Sequence, residues 1–266
     1  MNYSKFLYVV TFATVLFTAC GNDSSTSANN SNDDISSKSS SSQRSVSSSS
    51  NKVTEPVEVT VGSMKDSRDG HTYKTVTIGS QTWMAENLNY KADSSWCGGG
   101  NELNEGDCSK YGRLYTWAAA MDSAGTWSSN GKGCGYGKTC SPTYPVRGAC
   151  PEGWHLPSET EWNSLFTAVG GPSIAGTKLK SPSGWNDNEG HDGNGTDAFS
   201  FSALPAGDRI DYGIYYYEGD YAHFWGSTES IFSDYAFNVY FSYLSDSASL
   251  DYYFKHYAFS VRCLQD

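Results

Sequence analysis

Three groups of residues in this 266-residue chain carry side chains that could do chemistry. The first is the stretch GWNDNEGHDGNGTD, Gly184 to Asp197. Asn186, Asp187, Glu189, Asp192, Asn194 and Asp197 bring together hard oxygen donors of the kind Ca²⁺ takes. Asn, Asp and Gly are also ordinary turn residues. The EF-hand register is not met, because DGNGTD lacks the acid that closes such a loop. The second group is DYGIYYYEGDYAHFW, Asp211 to Trp225. Tyr215, Tyr216 and Tyr217 are consecutive, so a strand cannot turn all of them inward. Exposed rings beside carboxylates stack on sugar rings and hydrogen-bond sugar hydroxyls. Trp185, Tyr215, Tyr216, Tyr217, Tyr221 and Trp225 are the candidate contacts for a polysaccharide. Tyrosine is also simply a good strand residue that tolerates partial exposure.

The third group is the cysteines, of which there are seven. Cys20 stands apart near the N-terminus. Cys97, Cys108, Cys134, Cys140, Cys150 and Cys263 are an even set, which in an exported chain reads as disulfides. Many pairings are open, and sequence does not choose among them. Pairing of sequence neighbours is the expectation for Cys97 with Cys108 and Cys134 with Cys140, which leaves Cys150 with Cys263. No C-x-x-C pair or His spacing supports a zinc site instead.

Other chemistry is weaker. GCGYGKT (Gly133–Thr139) has the flavour of a phosphate-binding loop, but Lys132 stands where the motif needs its first glycine. His155 has no second His or carboxylate at ligand spacing. No two acids stand out as a glycoside-hydrolysing pair, and Asp197 reads equally well as a turn former. No catalytic residue is assigned.

Residues 1–19 read as a signal peptide: one Lys, an apolar run too short to span a bilayer, then Ala19-Cys20. The Cys at the cleavage point resembles that of a bacterial lipoprotein, which implies lipidation of Cys20, although Phe17 stands where Leu is usual. Residues 20–52 form a tether, since half of residues 21–50 are Ser. Such a stretch has too little apolar surface to repay the entropy of ordering. Residues 53–266 are long enough for one substantial core. The expectation is an exported lipoprotein, held by its anchor at the outer membrane or cell surface. A net charge of −11 argues against nucleic acid as a partner.

The domain must supply the elements that position these groups. TYKTVTI (Thr72–Ile78) alternates as a strand, and Gln81–Leu88 reads as its return. Tyr115–Ala124 has the composition of a helix. Ser158 and Glu161 form a capping box that opens a second helix, with Trp162, Leu165, Phe166 and Val169 on its apolar face. Gly170-Gly171-Pro172 stops it. Phe199–Gly207, Tyr221–Ser230, Tyr235–Tyr243 and Lys255–Leu264 read as strands. The class is α+β: two helices packed on a mostly antiparallel, irregular sheet with long loops.

TYKTVTIGSQTWMAENLNY, YGRLYTWAAAMD, CPEGWHLPSETEW, GTDAFSFSALPAG, HFWGSTE and FSVRCLQD, in this order, resemble the Fibrobacter succinogenes major paralogous domain, over roughly Lys65 to Asp266. Members look like exported lipoproteins with a Ser-rich tether, and the family carries no settled activity to transfer. More distantly, GWHLPSETEW and the closing FSVRC resemble formylglycine-generating-enzyme-like and C-type-lectin-like domains. That resemblance implies a C-type-lectin-like fold, with the last strand near the start of the second helix, where it would suit a Cys150–Cys263 bridge. Trp185-Asn186-Asp187 resembles the calcium motif of C-type lectins, but their partner motif is missing. The formylglycine-generating activity does not carry over, because its paired reactive cysteines are absent. The functional expectation is a non-catalytic module that binds carbohydrate. The alternatives are an enzyme acting on polysaccharide, or a structural or protein-binding surface component.

Overall fold

In TYKTVTI, Tyr73, Thr75, Val76 and Ile78 are buried and Thr72 and Lys74 exposed, so the alternation becomes strand β2 (Thr72–Ile78). The computed structural model describes residues 57–101 and 104–266. The expected signal peptide, Cys20 and the whole 20–52 tether lie outside the described residues, and the unit that contains the fold is assigned from Val53. Strand β1 (Val59–Lys65) precedes β2 and pairs with it along its whole length. Strand β3 (Gln81–Met84) returns after a turn at Gly79.

Next come β4 (Ser95–Cys97), α1 (Cys108–Tyr111), β5 (Arg113–Thr116) and α2 (Trp117–Ala120). A long loop leads to β6 (Trp154–His155), α3 (Glu159–Ala168) and α4 (Pro172–Leu179). The remainder is β7 (Ala206–Arg209), β8 (Tyr215–Glu218), β9 (Tyr221–Glu229), β10 (Tyr235–Ser242), β11 (Ala248–Phe254), β12 (Ala258–Ser260) and β13 (Leu264–Gln265). One sheet runs β1-β2-β3-β13-β6, and a larger one runs β11-β10-β9-β7-β12-β5-β4 with β8 on β7. The pairings are antiparallel except where β7 and β12 meet β9. The architecture is therefore mixed α+β with mostly antiparallel sheets.

Helix α3 forms as its sequence dictates. The Ser158 side chain accepts from the Glu161 amide, and Glu161 Oε2 accepts from the Ser158 amide at 2.7 Å. Trp162, Leu165, Phe166 and Val169 are buried in a core with Trp83, Phe201, Phe224 and Phe241. Trp154 and Leu156 are buried beside the Cys150–Cys263 bridge. The expected pairings are all present: Cys97–Cys108, Cys134–Cys140 and Cys150–Cys263, with Cα atoms 4.4, 5.0 and 5.9 Å apart. The last spans a sequence separation of 113 residues.

Two expectations about elements need correction, and one that holds hides a further helix. The Tyr115–Ala124 segment is strand β5 and then one helical turn, because Tyr115 pairs with Phe259 of β12 and buries completely. Sheet burial overrides the helix propensity of the alanines. Gly170-Gly171-Pro172 both ends α3 and opens α4, with Pro172 in the first helical turn where its missing N–H costs nothing. Phe199–Gly207 is irregular until Ala206, because Asp197 Oδ1 accepts from the Ser202 amide at 2.7 Å and holds a side-chain-stabilised loop instead.

Candidate functional site

Two places on the domain combine accessibility with unusual side chains. The first is an aromatic face on the larger sheet. Asp208 of β7 lies opposite Tyr216 of β8, and His223 of β9 opposite Tyr240 of β10. Directly opposed residues share a sheet face. Tyr216 is 37% exposed and Tyr217 50% exposed, with ring centroids 5.7 Å apart. Tyr217 meets Tyr221 edge-on at 5.3 Å, and Tyr221 meets Tyr240 at 6.1 Å. These rings form one continuous strip. Tyr217 has φ +64°, a left-handed conformation that a bulky side chain rarely takes.

Two titratable groups lie beneath this strip. His223 is buried, stacked on Phe259 at 4.5 Å, with Nδ1 3.3 Å from Asn238 Oδ1. Burial pushes its imidazole down to about 4, so it is neutral at pH 7. Asp208 is buried and its Oδ1 has no hydrogen-bond partner; burial alone pushes its carboxyl up to about 7. The strip therefore sits over a neutral imidazole and a carboxyl that changes charge close to neutral pH.

The other aromatic candidates belong to the core. Trp225 is fully buried and its indole N–H donates to the Tyr115 carbonyl at 2.8 Å. Trp185 is buried, donating to Ser181 Oγ at 3.1 Å and the Ala203 carbonyl at 3.2 Å, with Lys180 Nζ 5.0 Å from its ring centroid. Tyr215 is buried against Tyr111 and Ala206. The candidate contacts thus reduce to Tyr216, Tyr217 and Tyr221. Burial is what a large ring gains most from, and three of the six rings take it.

The oxygen-rich loop uses its donors on itself. Asp192 Oδ1 accepts from the Asn194 amide and side chain at 2.9 and 2.8 Å, and Asn194 Oδ1 accepts from the Trp185 amide at 3.2 Å. Asn186 Nδ2 donates to Asp220 Oδ1 at 2.9 Å. Both Asp197 oxygens accept from Ser202. Asp187 and Glu189 face solvent. Among the described residues no group of three or more His, Cys, Asp or Glu is placed to hold a metal ion. The calcium expectation has no carboxylate cluster to rest on.

His155 also differs from expectation. Its Nδ1 lies 2.7 Å from Asp266 Oδ1 and its Nε2 3.0 Å from Glu161 Oε1. Burial pulls the imidazole down, but the two carboxylates outweigh it and hold its pKa above the usual value. The carboxylates were invisible to spacing because one comes from the far end of the chain.

The second place is a cleft of about 570 Å³. Its wall includes Asn87, Arg262 and the 197–202 loop. Arg262 is fully buried. Its Nε donates to Asn87 Oδ1 at 2.9 Å, and its two terminal nitrogens donate to the Phe201 and Ser202 carbonyls, the latter at 2.8 Å. Sequence reasoning passed over Arg262 and Asn87. The available signal was an Arg inside the apolar run FSVRCL, where a charge points to a buried partner set.

In comparisons with known proteins, neither the curated proteins nor the solved structures give a match. A family model does match, across residues 76–265, which is most of the described domain and includes every strand from β3 onward. On that match, the chain belongs to the Fibrobacter succinogenes major domain family.

Proposed function

We propose that this chain is an exported, lipid-anchored module that binds polysaccharide without transforming it, through Tyr216, Tyr217 and Tyr221. The observation that carries the reading is the strip of contiguous, accessible rings that passes through Tyr217, whose backbone is strained. Strain of this kind persists where the surroundings enforce it, and it gathers at ligand-contacting positions. The neutral imidazole of His223 below the strip favours hydroxyls over charge. A C-type-lectin-like fold is part of the same proposal. It is supported by the pairing of the last strand, β13, with β6 just before α3. Lipidation of Cys20 is supported by the Ala19-Cys20 junction after the apolar run.

The test is affinity electrophoresis of the chain through gels containing xylan, cellulose derivatives or pectin. We expect retardation on at least one neutral polysaccharide. Tyr216→Ala and Tyr217→Ala are expected to weaken it roughly tenfold, the effect of losing about 1.4 kcal/mol of ring contact, without a change in unfolding midpoint. Unchanged mobility in every gel would reject the reading. One observation favours a protein-facing role as the second reading. Ile231 is 93% exposed and Phe232 64% exposed at the β9–β10 turn, an apolar tip beside Tyr235 and Tyr252.

A further inference from the structure

Asp208 lies beneath the aromatic strip, and the proposed binding does not use it. We propose that it is a proton-controlled latch on strand β8: protonated, it lets β8 lie on β7 and complete the strip, and ionised, it releases β8 and weakens binding there. The consequence for binding rests on the reading of the strip as a ligand surface, and the latch itself does not.

The first argument is the burial of the carboxyl. Asp208 is only 2% exposed, and its Oδ1 has no hydrogen-bond partner. A buried carboxylate is expensive to keep without donors or a counter-ion. Its surroundings supply no cation. Tyr216 of β8 lies directly opposite, followed by Tyr217 and Glu218. Glu218 Oε1 accepts from the Tyr111 hydroxyl at 2.9 Å. On β9, the parallel pairing of Gly207 with Ala222 sets Asp208 beside His223, whose buried imidazole is neutral, with Tyr221 two residues earlier and Tyr240 of β10 beyond. On β12, Ala258, Phe259 and Ser260 carry no titratable side chain. From β11, the Tyr253 ring lies 6.0 Å from that of His223. Burial raises the Tyr253 hydroxyl's pKa, and the charges of Tyr257 and Asp208 add to the rise. Arg209 alternates to the other face, over the Trp96 ring at 3.9 Å. Burial alone therefore governs the Asp208 carboxyl and pushes it up to about 7.

The second argument is how little holds β8. It pairs with β7 alone, through Ala206–Glu218, Asp208–Tyr216 and Arg209–Tyr215, whereas β7 is also paired with β9 and β12. Of the β8 residues only Tyr215 is buried. The ribbon is strained as well, with φ of +68° at Tyr212 and +64° at Tyr217. Gly207 has φ +64°, and a Cβ there would come within 2.2 Å of the Tyr216 carbonyl oxygen, so the two backbones press together next to Asp208. Lifting β8 hydrates the carboxyl and relaxes this strain at the cost of one short ladder.

Lifted, the carboxyl titrates near its ordinary value of 3.8, and closed, near 7. Between these values the lifted form binds fewer protons, so opening becomes easier by about tenfold per pH unit and levels off above 7. A ligand that needs the closed strip loses apparent affinity in proportion to the closed fraction.

The latch is tested by hydrogen–deuterium exchange of the full chain, read by mass spectrometry from about pH 5 to about pH 8.5 and corrected for the intrinsic exchange rate. Residues 211–220 are expected to lose protection by about tenfold per unit up to about pH 7 and to level off above it, while β10 does not follow. Asp208→Asn is expected to keep that segment protected throughout. Should it fail to fold, Asp208→Leu removes the same charge and is expected to behave alike. Wild-type protection that is flat with pH, or that falls equally in Asp208→Asn, overturns the proposal. Affinity electrophoresis reads the consequence. Retardation is expected to be about threefold weaker at about pH 8 than at about pH 5 in the wild type, and equal in Asp208→Asn. Equal wild-type retardation at both overturns the link to binding. No retardation at any pH rejects the polysaccharide reading, and the exchange data still decide the latch.

Discussion

At the cleft, the touching residues come from opposite ends of the domain: Arg262 bonds Asn87 across 175 positions and Ser202 across 60. At the aromatic face, Tyr216, Tyr217 and Tyr221 follow one another through a single turn between β8 and β9. The cleft side is closed by ties between distant segments. Cys263 is bridged to Cys150, and Asp266 and Glu161 grip His155. The face is held by the ladder of β7, β8, β9 and β10, and its rings lean on one another. The comparison teaches where each region is vulnerable. Long-range ties govern the cleft, and local backbone conformation governs the strip.

The largest effect should come from the covalent tie. Cys150→Ala with Cys263→Ala frees a loop with a sequence separation of 113, worth about 4–5 kcal/mol in the chain-entropy model. Denaturant unfolding should show that loss, and amides of the 197–202 loop should exchange faster while those of β9 and β10 keep their relative protection. Equal loosening of both regions would break the distinction.

Arg262→Met comes next. It leaves the Asn87 amide oxygen and two carbonyls without their donor, which costs about 3 kcal/mol. The near-ultraviolet spectrum of the tyrosine strip should be unchanged at temperatures where the variant is folded.

His155 gives a smaller, pH-dependent effect. Its folded pKa is raised, so its contribution is fully present below the unfolded value of 6.5 and is lost as pH rises through the folded value. Glu161 is held below its usual value: burial opposes this, but His155 and Ser158 outweigh it. Its contribution is present above 4.5 and lost as pH falls through the folded value. The stability gap between wild type and His155→Gln should therefore be widest between pH 4.5 and 6.5 and narrow on both sides. A gap that widens steadily above pH 6.5 would contradict the pairing.

The smallest effect belongs to the strip. Tyr217→Gly removes a ring but relieves a positive φ, so stability should rise slightly, by up to about 1 kcal/mol, while polysaccharide retention falls. A clear loss of stability would mean that the ring, and not the ligand, accounts for the strain.

Much of the scaffold was legible in the sequence, and less of either site. The capping box at Ser158 and Glu161, the apolar face of α3 and the strand at Thr72–Ile78 could be read because each signal acts within a few residues. Tyr215, Tyr216 and Tyr217 announced that not all could be buried, and Tyr215 is the one that is. Composition could not say which, because strand register decides it. The same limit hid α4 behind its glycines and turned the Tyr115–Ala124 helix into a strand and one turn.

By itself the sequence determined the α+β class, the family, the even set of cysteines and the α3 cap. These rest on local periodicity, hydrogen bonding to near neighbours and ordered motifs. Only the tertiary structure decided that Trp185 and Trp225 are core, that the 184–197 oxygens serve their own loop, and that His155 sits between Glu161 and Asp266. It alone placed Arg262 at the wall of a cleft, bonded to Asn87. The reason is physical: burial and charge pairing depend on which distant segments meet, and that is settled by packing the whole chain.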